Sequence, residues 1–172
     1  LEEYLREKYP NFKYILSTTK NIRDVNEINK KSKKYDLIVT DYRDNNNDIF
    51  LNKIEKKDKI ELLINEYCSP NCNQRANHYK EYAKAQLNFI SFPNFSFECK
   101  CGVSNFFESL KLPTVIKVEE LYNKYLKMGF NNFKIVGRSI HILNVIESYV
   151  YYLVKPEYKD LVRFELTHSC WN

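Results

Sequence analysis

Ile60-Glu61-Leu62-Leu63-Ile64-Asn65-Glu66-Tyr67-Cys68 decides the fold. The first five residues form a short apolar run with a β-branched residue at each end, the pattern of a strand buried on both faces of a parallel sheet. Polar groups follow at once in Asn65 and Glu66, and then a thiol. In α/β proteins ligands bind outside the carboxyl ends of the strands, so Cys68 falls where a site belongs. The segment from Cys72 to Gln86 has helix-forming residues and neither glycine nor proline, which predicts a helix. On that helix Cys72, Arg75 and Tyr79 would be spaced i, i+3, i+7 and share a face.

Outward from this stretch the same alternation recurs. Apolar runs at Phe12 to Leu16, Leu37 to Val39 and Phe133 to Val136 are each followed by a helical pattern or a loop leading to one. The expected helices cover Ile22 to Lys33, Ile49 to Lys56, Cys72 to Gln86, Val118 to Met128, where Gly129 is a natural stop, and Ser139 to Leu153. A further helix is expected at Leu1 to Lys8. Such alternation marks βαβ units and a parallel sheet. The strand ends give way to Ser17-Thr18-Thr19, Thr40-Asp41, Asn65-Glu66 and Gly137-Arg138. In a (β/α) barrel the active site sits at this rim.

Four βα units are half of such a barrel. The expected fold class is therefore α/β, with parallel-stranded (β/α) units forming the C-terminal half of a TIM-like barrel, residues 1–172 being one partial domain whose N-terminal half is missing. An open doubly wound sheet would use the same pattern. A half-barrel exposes an apolar inner face and two strand edges. The chain is thus expected to form a homo-oligomer or to meet a partner supplying the missing half.

The chain is long enough for one domain with a real core, and its 44% hydrophobic content places it among globular proteins. No apolar run approaches the roughly 20 residues needed to cross a bilayer, and no signal peptide opens the chain, so a cytoplasmic location without membrane contact is expected. The formal charge of +5 comes largely from scattered lysines that read as solvated helix faces, although basic charge also attracts phosphates. Of the five cysteines, four fall in close pairs, Cys68/Cys72 and Cys99/Cys101. In a reducing compartment that pattern favours metal binding over disulfides. Four thiolates suit an iron–sulfur cluster or tetrahedral zinc, and unliganded buried thiols are the plain alternative.

Glu66, Asp41 and His78 are the candidate catalytic groups, two strand-end carboxylates and an imidazole able to move protons. Helix capping or pairing with Arg75 and Arg138 is the structural alternative for the acids, and simple packing for His78. Arg75, Lys134 and Arg138 are the candidate substrate-binding cations. The arginines offer a planar fork for carboxylate or phosphate. Lys134, Val136 and Arg138 alternate along one strand and so share a side. The long aromatic segment between Asn88 and Pro113 has the character of a functional loop.

The N-E-x-C-x-x-x-C-x-x-R-x-x-H-Y stretch from Asn65 to Tyr79, the later cysteines, and Phe133-Lys134-Ile135-Val136-Gly137-Arg138 together resemble the carboxyl-terminal half of the collagenase-like peptidase family, peptidase family U thirty-two, whose hallmark strand reads F-K-I-E-G-R. Lys134 and Arg138 match the basic residues of that hallmark. Val136 stands in place of its glutamate, and the cysteine spacing also departs from the family's. The resemblance implies a (β/α) barrel with a cysteine-bound iron–sulfur cluster at Cys68, Cys72, Cys99 and Cys101. It further implies an enzyme of hydroxylating or hydrolytic type, acting on a small metabolite or RNA. The alternative is a non-catalytic scaffold, zinc-stabilised or metal-free, that binds RNA or protein.

Overall fold

A computed structural model describes residues 1–90, 95, 97, 102, 103, 105–136 and 142–169. In chain order the elements are α1 (Glu2–Lys8), β1 (Ile15–Leu16), α2 (Val25–Lys31), β2 (Leu37–Val39), α3 (Asp48–Asn52), β3 (Ile60–Leu63), α4 (Arg75–Leu87), α5 (Phe106–Ser109), α6 (Val118–Glu120), β4 (Asn132–Lys134), α7 (Ile142–Leu153) and α8 (Lys159–Ser169). All four strands are parallel and their order is β1-β2-β3-β4.

Register explains where the core sits. Leu16 pairs with Ile38 and Ile38 with Ile60, while Leu62 pairs with Phe133. Because side chains alternate across a strand, these residues share one face. Against that face pack Ile28 of α2, Phe50 and Leu51 of α3, and Ile116, Tyr125 and Phe130 from the segment before β4. The strand order follows the sequence, each strand joining the same edge of the sheet. The other face carries Ile15, Leu37, Val39, Glu61, Leu63 and Lys134. There Val39 and Leu63 are buried, whereas Ile15 is 58% exposed. Glu61 and Lys134 form an ion pair across β3 and β4 at 3.6 Å. The chain is thus mixed α/β with a four-stranded parallel sheet.

Side chains extend the sheet where the backbone ladder ends. Asn65, fully buried, accepts from Val136 N–H through Oδ1 and donates to Val136 C=O through Nδ2 at 3.2 Å, so its amide acts as one more rung between β3 and β4. Asn45 donates to Leu63 C=O at 2.8 Å and Thr114 C=O at 2.7 Å. The Tyr152 hydroxyl of α7 donates to Ile116 C=O at 2.9 Å. Buried carbonyls beyond the last ladder bond need such donors, since an unpaired buried group costs about 1–3 kcal/mol.

Several helices are shorter than their periodicity suggests because polar caps intervene. Asp24 accepts from Asn26 N–H and starts α2 late, whereas α3, capped by Asn47 accepting from Phe50 N–H, starts one residue early and stops at Asn52. The expected helix from Val118 tightens into α6 and then widens into a π-turn over Leu121–Tyr125 before Gly129, at φ +98°, ends the run. The helix expected from Cys72 begins only at Arg75, because the Ser69-Pro70 turn, closed by Cys72 N–H to Ser69 C=O, comes first. Cys72 is therefore not on the Arg75 helix face. The helix α8 after Pro156 was not expected. Among the described residues no helix is long and apolar enough to cross a membrane.

Replacing Asn65 by Ala should leave both Val136 groups without their partner and lower stability by about 1–3 kcal/mol for each group orphaned. Asn65→Asp should cost more, because a buried carboxylate cannot donate to Val136 C=O. Urea unfolding of the two variants measures both.

Candidate site at the carboxyl-end rim

Ser17, Asp41 and Glu66 each follow the last residues of a strand and lie at one rim of the sheet, as the sequence pattern predicts. Ser17 caps the turn after β1 by accepting from Thr19 N–H at 3.2 Å. Asp41 does the same after β2, accepting from Arg43 N–H at 3.0 Å. Glu66 lies two residues beyond Ile64, whose N–H reaches Lys134 C=O at 3.0 Å.

The centre of the rim is the ion pair of Glu66 with Arg75, Nη2 to Oε2 at 2.7 Å, with side chains only 14% and 7% exposed. The second carboxylate oxygen accepts from Tyr67 N–H at 3.0 Å and Cys68 N–H at 3.4 Å. Glu66 thereby folds the chain after β3 back on itself and ties it to the first turn of α4. The guanidinium also faces two rings, its carbon 4.4 Å from the centroid of Tyr42 and 5.1 Å from that of Tyr79. Burial works against the Arg75 charge, but the Glu66 carboxylate outweighs it and the guanidinium is held in its charged form.

Around this pair a cavity of about 420 Å³ is lined by Glu66, Tyr67, Cys68, Arg75, His78, Tyr79, Tyr82, Phe95 and Gly102. His78 packs against the rings of Phe95 and Phe97, each centroid 4.9 Å away. Burial, and secondarily the Arg75 charge, lower the His78 pKa below its ordinary value of 6.5, so the ring is neutral at pH 7. One nitrogen then donates and the other accepts.

The thiols of Cys68 and Cys72 are within hydrogen-bonding reach of each other, and the Tyr42 hydroxyl reaches Cys68 as well as Ser69 C=O at 2.8 Å. Neither sulfur is in a disulfide. Burial raises the Cys68 pKa despite the Tyr42 hydrogen bond, so the bare thiol stays protonated, and a bound metal would be needed to make it a thiolate. Cys68 also pairs as an isolated antiparallel bridge with Gly102, and Val103 N–H donates to Tyr67 C=O at 3.0 Å. Gly102 follows Cys101 directly in the sequence. Cys99, Cys101 and Arg138 lie outside the described residues. Among the described residues no three potential ligands form a metal-sized group. The donor chemistry at Cys68 and Cys72 suits a soft metal, for which these residues would supply two sulfurs.

The expected site residues thus divide. Glu66, Arg75, His78, Cys68 and Cys72 come together. Asp41 is closed off by Arg43, Nε to Oδ1 at 2.8 Å and Nη2 to Oδ2 at 2.6 Å, so it serves as a cap and ion-pair partner at the edge of the site. Lys134 is half exposed and turned to Glu61 on the second sheet face. Phe95 and Gly102 belong to the aromatic segment expected to be a functional loop, whereas Tyr42 and Tyr82 were not singled out from the sequence. Tyr42 had one signal, its place directly after the strand-end Asp41.

Removing Arg75 leaves the buried Glu66 carboxylate with backbone donors alone, so Arg75→Met should cost about 3–5 kcal/mol, and the double variant E66Q/R75M should recover part of the loss in urea unfolding. Burial pushes the Asp41 pKa up, but the Arg43 hydrogen bonds pull it further down, to a net value below 3.8. Stabilisation from a lowered carboxylate pKa is present above the unfolded value and is lost as pH falls through the folded one. The stability gap between the protein and Asp41→Asn should therefore be full at pH 6 and shrink below about pH 4.

Compared with protein-family models, with curated proteins and with solved structures, the chain matches none.

Proposed function

We propose that the chain is part of a (β/α)-barrel enzyme of the collagenase-like peptidase type, in which Cys68 and Cys72, with Cys99 and Cys101, hold an iron–sulfur cluster beside the Glu66–Arg75 pocket. The observation that carries the reading is the arrangement at the rim: Cys68 and Cys72 as neighbouring thiols, with the Cys68 backbone bridged to Gly102, the residue after Cys101. The parallel sheet in sequential strand order, with its site-bearing rim, supports the barrel part, and a cytoplasmic, reducing setting agrees with two neighbouring thiols outside any disulfide. The outer strands β1 and β4, with exposed Phe12 and Ile15 near one of them, favour completion by a second copy or a partner chain.

Between hydroxylating and hydrolytic chemistry the pocket favours the first. Hydrolysis asks for a carboxylate or imidazole free to activate water. Both oxygens of Glu66 are engaged by Tyr67, Cys68 and Arg75, and both oxygens of Asp41 by Arg43. A cluster bound at the cysteines would supply one-electron transfer. The residues of the chain would then bind and orient: Glu66 holds the Tyr67–Cys68 turn, Arg75 presents its guanidinium to the cavity, and neutral His78 accepts or gives one proton. Tyr67, Tyr82 and Phe95 keep water from the cavity wall.

A second reading, a non-catalytic zinc-stabilised scaffold binding RNA or protein, rests on the same sulfurs, since zinc would equally pin the 68–72 turn to the segment ending at Gly102. Anaerobic purification followed by iron, zinc and sulfide analysis separates the two. The enzyme reading expects iron with acid-labile sulfide and a visible charge-transfer band, lost in Cys68→Ser and Cys72→Ser. Stoichiometric zinc instead would replace it with the zinc-stabilised scaffold, and a metal-free protein with all five cysteines reduced would overturn both metal readings and leave the metal-free scaffold.

A further inference from the structure

The fold gathers lysines that lie far apart in the sequence. Four parallel strands in sequential order begin at one end of the sheet, opposite the Glu66–Arg75 rim, so the segments that lead into them lie side by side there. Those segments, residues 12–14, 30–36, 53–59 and 126–131, hold ten lysines against three acids, a larger excess than the +5 of the whole chain. Hydrogen bonds join them into one surface. Tyr14 N–H donates to Asp36 at 2.7 Å, Lys59 Nζ to Ser32 C=O and Tyr35 C=O at 3.1 Å, and Asn132 to Asp58 C=O at 2.7 Å. Glu27 and Glu2 occupy Lys31 and Lys34. Lys13, Lys30, Lys33, Lys53, Lys56 and Lys127 are exposed, and none meets an acid among the described residues. Helix α1, tied to this face by Arg6 donating to Lys34 C=O, adds three acids and two bases and so leaves it strongly positive. At its β1 end Phe12, 63% exposed and next to Lys13, stacks on Tyr9 with centroids 4.9 Å and planes 13° apart. A supported ring is thus left open to solvent.

We propose that this face binds single-stranded nucleic acid, its phosphates lying along the lysines and one base stacking on Phe12. The proposal depends on neither metal reading, because the face lies at the other end of the strands from Cys68 and Cys72. For the same reason the nucleic acid is a docked partner and not the group acted on at the rim. Lysines crowded together repel one another, and a polyanion relieves that repulsion while releasing its own counterions. Strands about 4.8 Å apart set the entering segments in a row, which suits a linear run of phosphates. Lysine is a point charge that grips phosphate without reading bases, so the contact is independent of sequence. The open ring selects a strand whose bases are unpaired. A membrane surface would call for an amphipathic helix with an apolar face, and none of the four segments forms one.

Fluorescence anisotropy of a labelled oligouridylate, titrated with the intact chain at several salt concentrations, tests this. Saturable binding that weakens steeply with salt is expected. Lys33→Glu/Lys56→Glu should weaken it at least about tenfold and flatten the salt dependence. Phe12→Ala should weaken it several-fold with the salt dependence unchanged. Lys20→Glu/Lys80→Glu makes the same change in net charge elsewhere, in the turn after β1 at the rim and on α4, and should keep full affinity. All four lysines are exposed, so unfolding midpoints should stay the same in both double variants. Absence of binding, equal weakening in the two double variants, or full affinity in Phe12→Ala would overturn the proposal. So would binding to phosphatidylserine vesicles without binding to the oligouridylate, which would assign the face to a membrane.

Discussion

The buried ion pair between Glu66 and Arg75 is the constraint on which the rim depends. Two charges taken out of water are expensive, and such a pair is retained only where further hydrogen bonds complete it. Here the completion is what shapes the site. The backbone N–H groups of Tyr67 and Cys68 close on one carboxylate oxygen, which fixes the turn carrying the thiol. The guanidinium closes on the other, which fixes the first residue of α4 and the faces of Tyr42 and Tyr79 beside it. One pair therefore ties together the end of β3, the turn after β2 and the head of the following helix. The cavity is the space that this arrangement leaves.

Beyond the pair, the rim is held by amides and hydroxyls that take over from the sheet. Asn65 extends the pairing of β3 with β4, Asn45 joins β3 to the Thr114 segment, and the Tyr42 hydroxyl reaches over to Ser69 C=O. These residues are fully buried, and each donates to a backbone carbonyl distant in sequence, while Asn45 Oδ1 has no partner among the described residues. A rigid polar frame of this kind suits a site that must hold a ligand in one orientation. It also explains why the carboxylates at the rim work as structural anchors instead of standing free for proton transfer.

Much of this was legible in the residues. Apolar runs of strand length followed by polar residues located all four strands and the rim that Ser17, Asp41 and Glu66 share, because the buried face of a parallel sheet leaves so plain a trace. The pairing of Glu66 with Arg75 was foreseeable as one of two roles for a strand-end acid. The position of Cys72 was not read correctly: helix propensity in the segment from Cys72 onward is real, but Pro70 and the Ser69 carbonyl make a turn first, and the helix waits until Arg75. Tyr42 and Asn45 were missed because their partners are backbone carbonyls distant in sequence, which carry no residue-type signal. Lys134 shares a strand with the hallmark-like run, yet cross-strand geometry gives it to Glu61. Helix α8 follows Pro156 in a charged stretch whose apolar residues, Leu161 and Phe164, remain largely exposed, so periodicity alone had little burial to report.

The central claim is that sulfur from this chain surrounds a metal at the rim. Iron K-edge X-ray absorption on the anaerobically purified protein measures that surrounding directly. A nearest-neighbour shell made of sulfur, with iron in the next shell, is the result this account predicts. A shell of nitrogen and oxygen, or no iron to give an edge, would contradict it.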